Sequence, residues 1–410
     1  MRILIHDFGG YPFPVELARE LAARGHVVTH SWCASLIDTP GAAEGFKRRE
    51  GDSSNLEFRP VDLGEPLDKH RLLRRRGQER RYGELAADLT ETVAPEAVLA
   101  ANVPLDALAR LEERSRAAGA GFVVWLQDLI GIGTGRLLGR RLPGIGQLVG
   151  NHYSRLEAGL LRDADAIVAI TDDFRPALER FGVEREAVTT IENWAPLAEL
   201  PVRAKDNEWA RSEGLEERFV FAYTGAIGVK QDREAPLRLA ERFRDRDVVR
   251  VLVVSGDAGA RYVKDQAAAR GLENLLVRDF VPWEQVPDVM GAADVLVATL
   301  HADAGEYSVP SKVLAYLCAA RPLLVSVPAA NLAARIVERE RAGLVASPGD
   351  EGAFLDAAAR LLDSPGEREE MGAAGRRYAE ATFAISPIAR RFEAVLEGAS
   401  RPKVQAARPG

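Results

Sequence analysis

The feature that most constrains this chain is an alternation that runs, breaks and restarts. Residues 2–32, RILIHDFGGYPFPVELARELAARGHVVTHSW, give an apolar strand, a glycine turn, an amphipathic helix with Leu17, Leu21 and Ala22 on one face, and a second strand. That is a β-α-β unit. The same rhythm continues through EAVLAA (96–101) and a helix to about Ala118, FVVWLQD (122–128), AIVAIT (166–171) leading into a helix at Thr171 and Asp172, and AVTTIEN (187–193). Apolar strands alternating with helices predict a parallel sheet covered on both faces.

The segment WAPLAELPVRAKDN (194–207) interrupts the pattern with two prolines and polar residues and reads as a linker. The alternation then resumes with FVFAYTG (219–225), a helix over 232–243, VRVLVVSGD (249–257), a helix over 260–270 and LLVRDF (275–280). It runs on through VPWEQVPDVMGAADVLVATL, SVPSKVLAYLCAA, RPLLVSV (321–327) and AGLVASPGD (342–350), followed by helices over about 351–362, 366–383 and 386–397. At 410 residues the chain exceeds what one core usually fills. The fold class is therefore α/β, with two Rossmann-like doubly wound parallel-sheet domains. The first spans 1–197 plus a closing helix at about 384–398, the second spans 198–383, and 399–410 is expected to be a disordered tail. In such sheets ligands bind at the carboxyl ends of strands, so a cleft between the domains is the expected site.

Composition removes several classes of function. A net charge of −7 argues against nucleic acid as a partner. The two cysteines, Cys33 and Cys318, have neither metal-type spacing nor a disulfide framework. No run approaches the roughly 18 apolar residues of a membrane span, and the N-terminus enters a strand directly, so a cytoplasmic protein is expected. Basic, partly apolar stretches at 71–83 and 135–150 read either as solvated helical faces or as peripheral contacts with an anionic bilayer.

Several turns at predicted strand ends carry chemistry. In YTGAIGVKQD (223–232), Gly225 and Gly228 let the backbone approach a phosphate, and Lys230 adds a charge just before the next helix. An ordinary strand-helix turn would read the same way. In AGEYSVPSKVLAYLCAARPL (304–323), Pro310 suits a first helical turn and Ser308 or Ser311 could cap its amides. Glu306 just before them could accept from sugar hydroxyls or oppose a developing cation; it could equally be a solvated loop acid. Ser255 and Gly256 end a strand as either a ligand turn or a plain one. The stretch VRDFVPWEQV sets backbone groups beside Trp283 either to read a nucleobase edge or to anchor the next helix.

In the first half, Gly9, Gly10 and Tyr11 form a turn after the first strand, and Gln127 and Asp128 end a later one. His6 reads as a core or supporting histidine. The pairs Asp163/Asp165 and Asp245/Asp247 sit at strand entrances, so no metal site is assigned.

Taken together, WLQD, DAIVAITDDFRPALERFGV, IENWAPL, YTGAIGVKQ, FVPWEQVPDVMGAADVLVATL and SVPSKVLAYLCAARPLL resemble the family 4 (group 1) glycosyltransferases of the GT-B fold. Within it they resemble bacterial capsule, O-antigen and colanic-acid transferases of acetamido sugars. The resemblance implies retaining transfer from a nucleotide sugar, usually a UDP-sugar, to a lipid-linked or small-molecule carbohydrate acceptor, with no cofactor and no essential metal. It places Lys230, Gly225, Ala226 and Gly228 at the donor diphosphate, with Ser311, Lys312 and Val313 at the distal phosphate. Phe280 and Val281 fall at the base, Asp128 near the transferred sugar, and Gly9, Gly10, Tyr11 and Gln127 on the acceptor side. Lys230, Glu306 and Asp128 are the expected catalytic residues.

Two departures stand out. Ala315 replaces a glutamate that binds the donor ribose in many members, while that glutamate's partner falls on Tyr307, one residue after Glu306. Ala226 replaces an arginine that often follows the first loop glycine. Two rival readings share the architecture: a sugar-nucleotide 2-epimerase, which would add acid/base carboxylates and a histidine, and a non-catalytic partner of another transferase.

Overall fold

A computed structural model describes residues 1–36, 46–68, 71–141, 144–305 and 307–400. The chain forms two compact units. One comprises Met1–Glu192 with the C-terminal segment from Ile385, and the other Asn193–Ala384.

The first unit carries seven parallel strands: β1 (Arg2–Asp7), β2 (Val27–Cys33), β3 (Leu56–Val61), β4 (Ala97–Ala101), β5 (Gly121–Leu126), β6 (Ala166–Ala169) and β7 (Val188–Thr190). They lie in the order β3-β2-β1-β4-β5-β6-β7. Strands β4 and β5 are buried along their whole length, as continuous apolar runs require when helices cover both faces. The direction of winding changes beside β1, so the carboxyl ends of β1 and β4 form a topological switch point.

Helix Ile385–Ser400 packs on this sheet and on helix Pro12–Ala23. Phe392 is fully buried with its ring 4.6 Å from that of Trp125. Burial of a phenylalanine on this scale contributes roughly 1.5–3 kcal/mol. Glu393 on the same helix accepts from Arg24 at 2.6 Å and lies 2.7 Å from His26 Nε2, which fixes the helix's rotation. The helix continues through Ala399 and Ser400, two residues into the segment expected to be a tail.

The second unit has six parallel strands: β8 (Phe219–Thr224), β9 (Val249–Val254), β10 (Leu275–Arg278), β11 (Val295–Thr299), β12 (Leu323–Ser326) and β13 (Gly343–Ala346). Their order is β10-β9-β8-β11-β12-β13, which puts this unit's switch point between β8 and β11. Its core joins Phe221, Tyr223, Leu237, Val251, Val253 and Phe354 across the sheet. The linker contributes to this unit: Trp194, Ala195 and Leu200 are buried, and Trp283 Nε1 donates to Glu199 at 2.6 Å. The indole N–H thereby ties the linker to the start of the helical turn at Trp283.

Candidate active site

In the second unit the switch point is a knot of backbone and side-chain ties. Strand β8 ends at Thr224, and Gly225 turns the chain with φ +95°, a conformation that costs any other residue strain. Its amide donates to Val254 O at 2.9 Å, which holds the turn on β9. Asp257 then clamps the loop to the next helix: its carboxylate accepts from Ile227 N at 2.6 Å and caps helix Ala258–Arg270 through Ala260 N at 2.9 Å. Tyr316 ties the strand end to the segment after β11, its hydroxyl accepting from Thr224 N at 2.8 Å and donating to Thr224 O at 3.1 Å.

Lys230 crosses the switch point. Its Nζ donates to Ser308 Oγ at 3.1 Å and lies 5.5 Å from the ring centre of Tyr307, while its carbonyl accepts from His301 N at 2.8 Å. Ser308 is buried, and its carbonyl accepts from Asn331 Nδ2 at 2.9 Å. The loop at 225–230 and the segment at 307–312, separate in sequence, are thus one structure.

Four local expectations are corrected. The helix after the loop begins at Ala235, so Lys230 is carried by an irregular turn stabilised by Asp232, whose amide donates to Thr299 Oγ1 at 3.0 Å and whose carboxylate pairs with Arg238. Helix Lys312–Cys318 begins after Pro310, not on it. Ser311, at its N-cap, has helical dihedrals and no side-chain cap bond, and Ser308 serves Lys230 instead. The Val313 amide donates to Pro310 O at 3.1 Å, which occupies one of the amides expected to face a phosphate. Glu306 lies outside the described residues.

Lys312 was expected to act through its backbone, but its side chain also reaches the loop. Nζ donates to Ala226 O at 3.2 Å and lies 3.5 Å from the centre of the Tyr223 ring. The same carbonyl accepts from Tyr223 Oη at 2.9 Å. Burial pushes this ammonium down to about 7, against the opposing charge of Asp257.

On β9 and β10, Ser255 is buried and its amide donates to Arg278 O at 2.9 Å, while its Oγ has no partner among the described residues. A Cβ added to Gly256 would lie 3.0 Å from the Phe280 ring, so these two expected donor residues pack on each other. Val281 follows, half-buried.

The first unit's switch point is organised by Asp7, which the sequence reading passed over. Its carboxylate accepts from Tyr11 N at 2.6 Å, Gly9 N at 3.3 Å and Asn102 Nδ2 at 2.8 Å, and its carbonyl accepts from Gly10 N at 3.3 Å. Burial raises its pKa to about 6 despite these bonds. Burial, followed by the charges of Asp7 and Asp128, pushes the Tyr11 hydroxyl upward. Gln127 and Asp128 line a cavity of about 90 Å³ with Asn102, Leu108 and Glu157.

Glu157, buried and also unforeseen, accepts from Ile130 N at 2.8 Å and Gly131 N at 3.0 Å, and burial raises its pKa to about 7. A carboxyl raised in the folded state favours folding when protonated, so its effect is stabilising below the unfolded value near 4.5 relative to high pH. That advantage is lost progressively as pH rises to about 7 and is gone above it. Glu157→Gln should therefore gain on wild type by up to about 3 kcal/mol between pH 5 and 8 in chemical denaturation. A stability difference constant across that range would contradict this.

His6 is a core residue: Nδ1 lies 2.6 Å from Ser31 Oγ and Nε2 3.1 Å from the Tyr82 hydroxyl, and burial lowers its pKa to about 4. Asp165 marks the entrance of β6, accepting from Phe122 N at 2.8 Å. Among the described residues no three His, Cys, Asp or Glu side chains gather as metal ligands.

Two parallel sheets, each with its switch point and a glycine-lysine turn on the second, define the GT-B type of architecture. The chain matches the description "Glycosyl transferase 4-like domain" over residues 10–194 and "Glycosyl transferases group 1" over 218–364. It belongs to the group 1 glycosyltransferases.

Among individual relatives, it is 27% identical over 242 residues to an alpha-D-kanosaminyltransferase of Streptomyces kanamyceticus, covering 56% of this chain and 59% of the relative. It is 26% identical over 206 residues to the putative colanic acid biosynthesis glycosyl transferase WcaI of Escherichia coli (strain K12), covering 48% and 49%. The chain thus spans about half the length of the curated relatives it matches. Its fold is shared with Anabaena Alr3699/HepE in complex with UDP-glucose (TM-score 0.71, 15% identity, 96% of this chain and 99% of that one). Sucrose-phosphate synthase from Thermosynechococcus elongatus is similar (TM-score 0.73, 16% identity, 96% and 98%).

Proposed function

We propose that this chain transfers a sugar, with retention of configuration, from a UDP-sugar to a lipid-linked or small-molecule carbohydrate acceptor, using no metal. The observation that carries the reading is the Lys230–Ser308 bond, which joins the glycine-lysine turn to the 307–312 segment at the β8/β11 switch point. The Anabaena relative was solved with UDP-glucose, which supports a uridine diphosphate donor for a chain of the same fold.

Cleavage of the anomeric C–O bond leaves a cation-like sugar and places additional negative charge on the diphosphate. A lysine and backbone amides fixed around that group before reaction stabilise the departing charge without reorganising. The donor's own phosphate oxygen can accept the acceptor hydroxyl's proton, so the proposal requires no protein base. Asp128, at the end of β5, is assigned to orienting the transferred sugar, and the Asp7-held turn at Gly9, Gly10 and Tyr11 to the acceptor. The 2-epimerase alternative finds less support, since His6, on β1, is buried against Ser31 and Tyr82.

No helix among the described residues is long and apolar enough to cross a membrane. Contact with an anionic bilayer is assigned to the start of helix Ile145–Asp163, where Ile145 and Leu148 are 65% and 71% exposed. The 71–83 stretch suits it less, because Arg74 pairs with Glu65, Arg75 with Glu79, and Arg76 and Arg80 with Asp106. Sedimentation with anionic vesicles checks this, with Ile145→Ser/Leu148→Ser expected to release the protein. The transfer itself is tested by following UDP release from a panel of UDP-sugars.

A further inference from the structure

We propose that the Lys312 side chain is a second cation for the donor diphosphate, supplying from the helix start the charge that Ala226 cannot supply from the loop. The inference rests on the nucleotide-sugar reading above and extends it to a side chain.

Four observations converge on Lys312. Its Nζ lies beside the glycine turn: a Cβ built on Gly225 would be 3.9 Å from it, and Ala226 O accepts from it at 3.2 Å. That leaves further ammonium donors for a ligand. The charge lies over the Tyr223 ring, with Nζ 3.5 Å from the centroid, which fixes the side chain's direction.

Lys312 is also the first residue of its helix, where the aligned peptide dipoles disfavour a positive charge. Finally, it has no carboxylate ion-pair partner among the described residues. Asp257, the acid whose charge acts on it, is already committed to Ile227 N and Ala260 N.

Helix capping therefore gives no reason for a lysine at this position, and partial burial works against its charge. An anion held by the Gly225 turn would reverse the balance. The groups that face Lys312 are Tyr223 on β8, Asp257 at the start of helix Ala258–Arg270 and, beside Tyr223, Tyr316 on its own helix. The two tyrosines stay neutral in the working range, both pushed upward by burial. The cation nearest in role, Lys230, is directed to Ser308.

The consequence is proton uptake on donor binding. The ammonium is held near 7 without ligand, and a diphosphate alongside raises it, so at pH 8 the free protein should take up about half a proton or more on binding UDP. At pH 6 uptake by Lys312 should vanish because it is already charged.

The test is calorimetry of UDP binding at pH 8 in buffers of differing ionisation enthalpy, a pH well above the terminal phosphate's own ionisation near about 6. Wild type should show the uptake; Lys312→Met should bind at least about tenfold more weakly and show none. Lys312→Arg should also lose the uptake while binding more tightly than the methionine variant, since its charge does not titrate. Wild type that binds UDP at pH 8 with no proton uptake, together with a folded methionine variant of unchanged affinity, overturns the inference. So does a folded methionine variant that keeps both affinity and uptake. Failure of wild type to bind UDP or any UDP-sugar instead overturns the nucleotide-sugar reading, and this inference falls with it.

Discussion

Replacing Lys230 by alanine is expected to cut donor turnover by about 10²-fold or more, with little change in melting temperature. Its ammonium is held at the switch point by Ser308 Oγ and Tyr307, and its carbonyl by His301 N, so the backbone of the turn survives loss of the side chain. In the proposed reaction, what disappears is the charge assigned to the leaving diphosphate. The fall should appear in kcat as well as in kcat/KM, because the interaction strengthens as the bond breaks. Steady-state kinetics of UDP release at matched protein concentration measure it. A variant with unchanged kcat would place the diphosphate elsewhere.

The second large effect concerns shape instead of charge. A Cβ on Gly259 would lie 2.1 Å from Ile227 O and 2.7 Å from Ile227 Cβ, so the first turn of helix Ala258–Arg270 and the glycine-lysine loop touch backbone to backbone. Asp257 locks the same contact by its bond to Ile227 N. Gly259→Val must push the loop and the helix start apart and should destabilise the protein by about 1–3 kcal/mol through overpacking. Because the loop that moves is the one assigned to the diphosphate, donor affinity should also fall at least about tenfold. Gly398→Ala, where an added Cβ meets nothing within 4 Å, is the control: donor affinity should not change, and stability should rise by at most about 1 kcal/mol because alanine is the better helix former. Calorimetry and thermal melts of the two variants decide the matter; a valine variant that binds donor like wild type would show that the loop's position is irrelevant.

Much of the fold was legible because buried parallel strands write themselves as continuous apolar runs. AVLAA and GFVVWL are such runs, and each became a central strand. Strand β3, LEFRPV, escaped notice because it is an edge strand carrying Glu57, Arg59 and Pro60, residues a central strand would not tolerate. The helix expected from 232 starts at Ala235 because Asp232 spends its carboxylate on Glu234 N and Arg238 in a turn.

The site was legible to the same extent. Gly225 and Lys230 could be found from a turn at a strand end, since both signals are local. The ties that give the site its form are not local: Trp283 to Glu199, Tyr316 to Thr224 and Lys312 to Tyr223 join residues far apart in the chain. Serine capping failed for a related reason, as sequence cannot show that the Ser311 backbone is already helical. Asp7 carried a readable signal, an acid between a strand and two glycines, whereas Glu157 lies mid-helix and is distinguished only by the two amides it meets.

The most direct measurement is to incubate wild-type protein with each of a panel of UDP-sugars and a carbohydrate acceptor, and to follow UDP and the anomeric configuration of the product by proton NMR. The expected result is UDP release with one donor and a product whose new linkage keeps the donor's configuration. An inverted product would contradict the retaining mechanism, and an epimerised nucleotide sugar, or neither UDP release nor donor binding, would contradict the transferase itself.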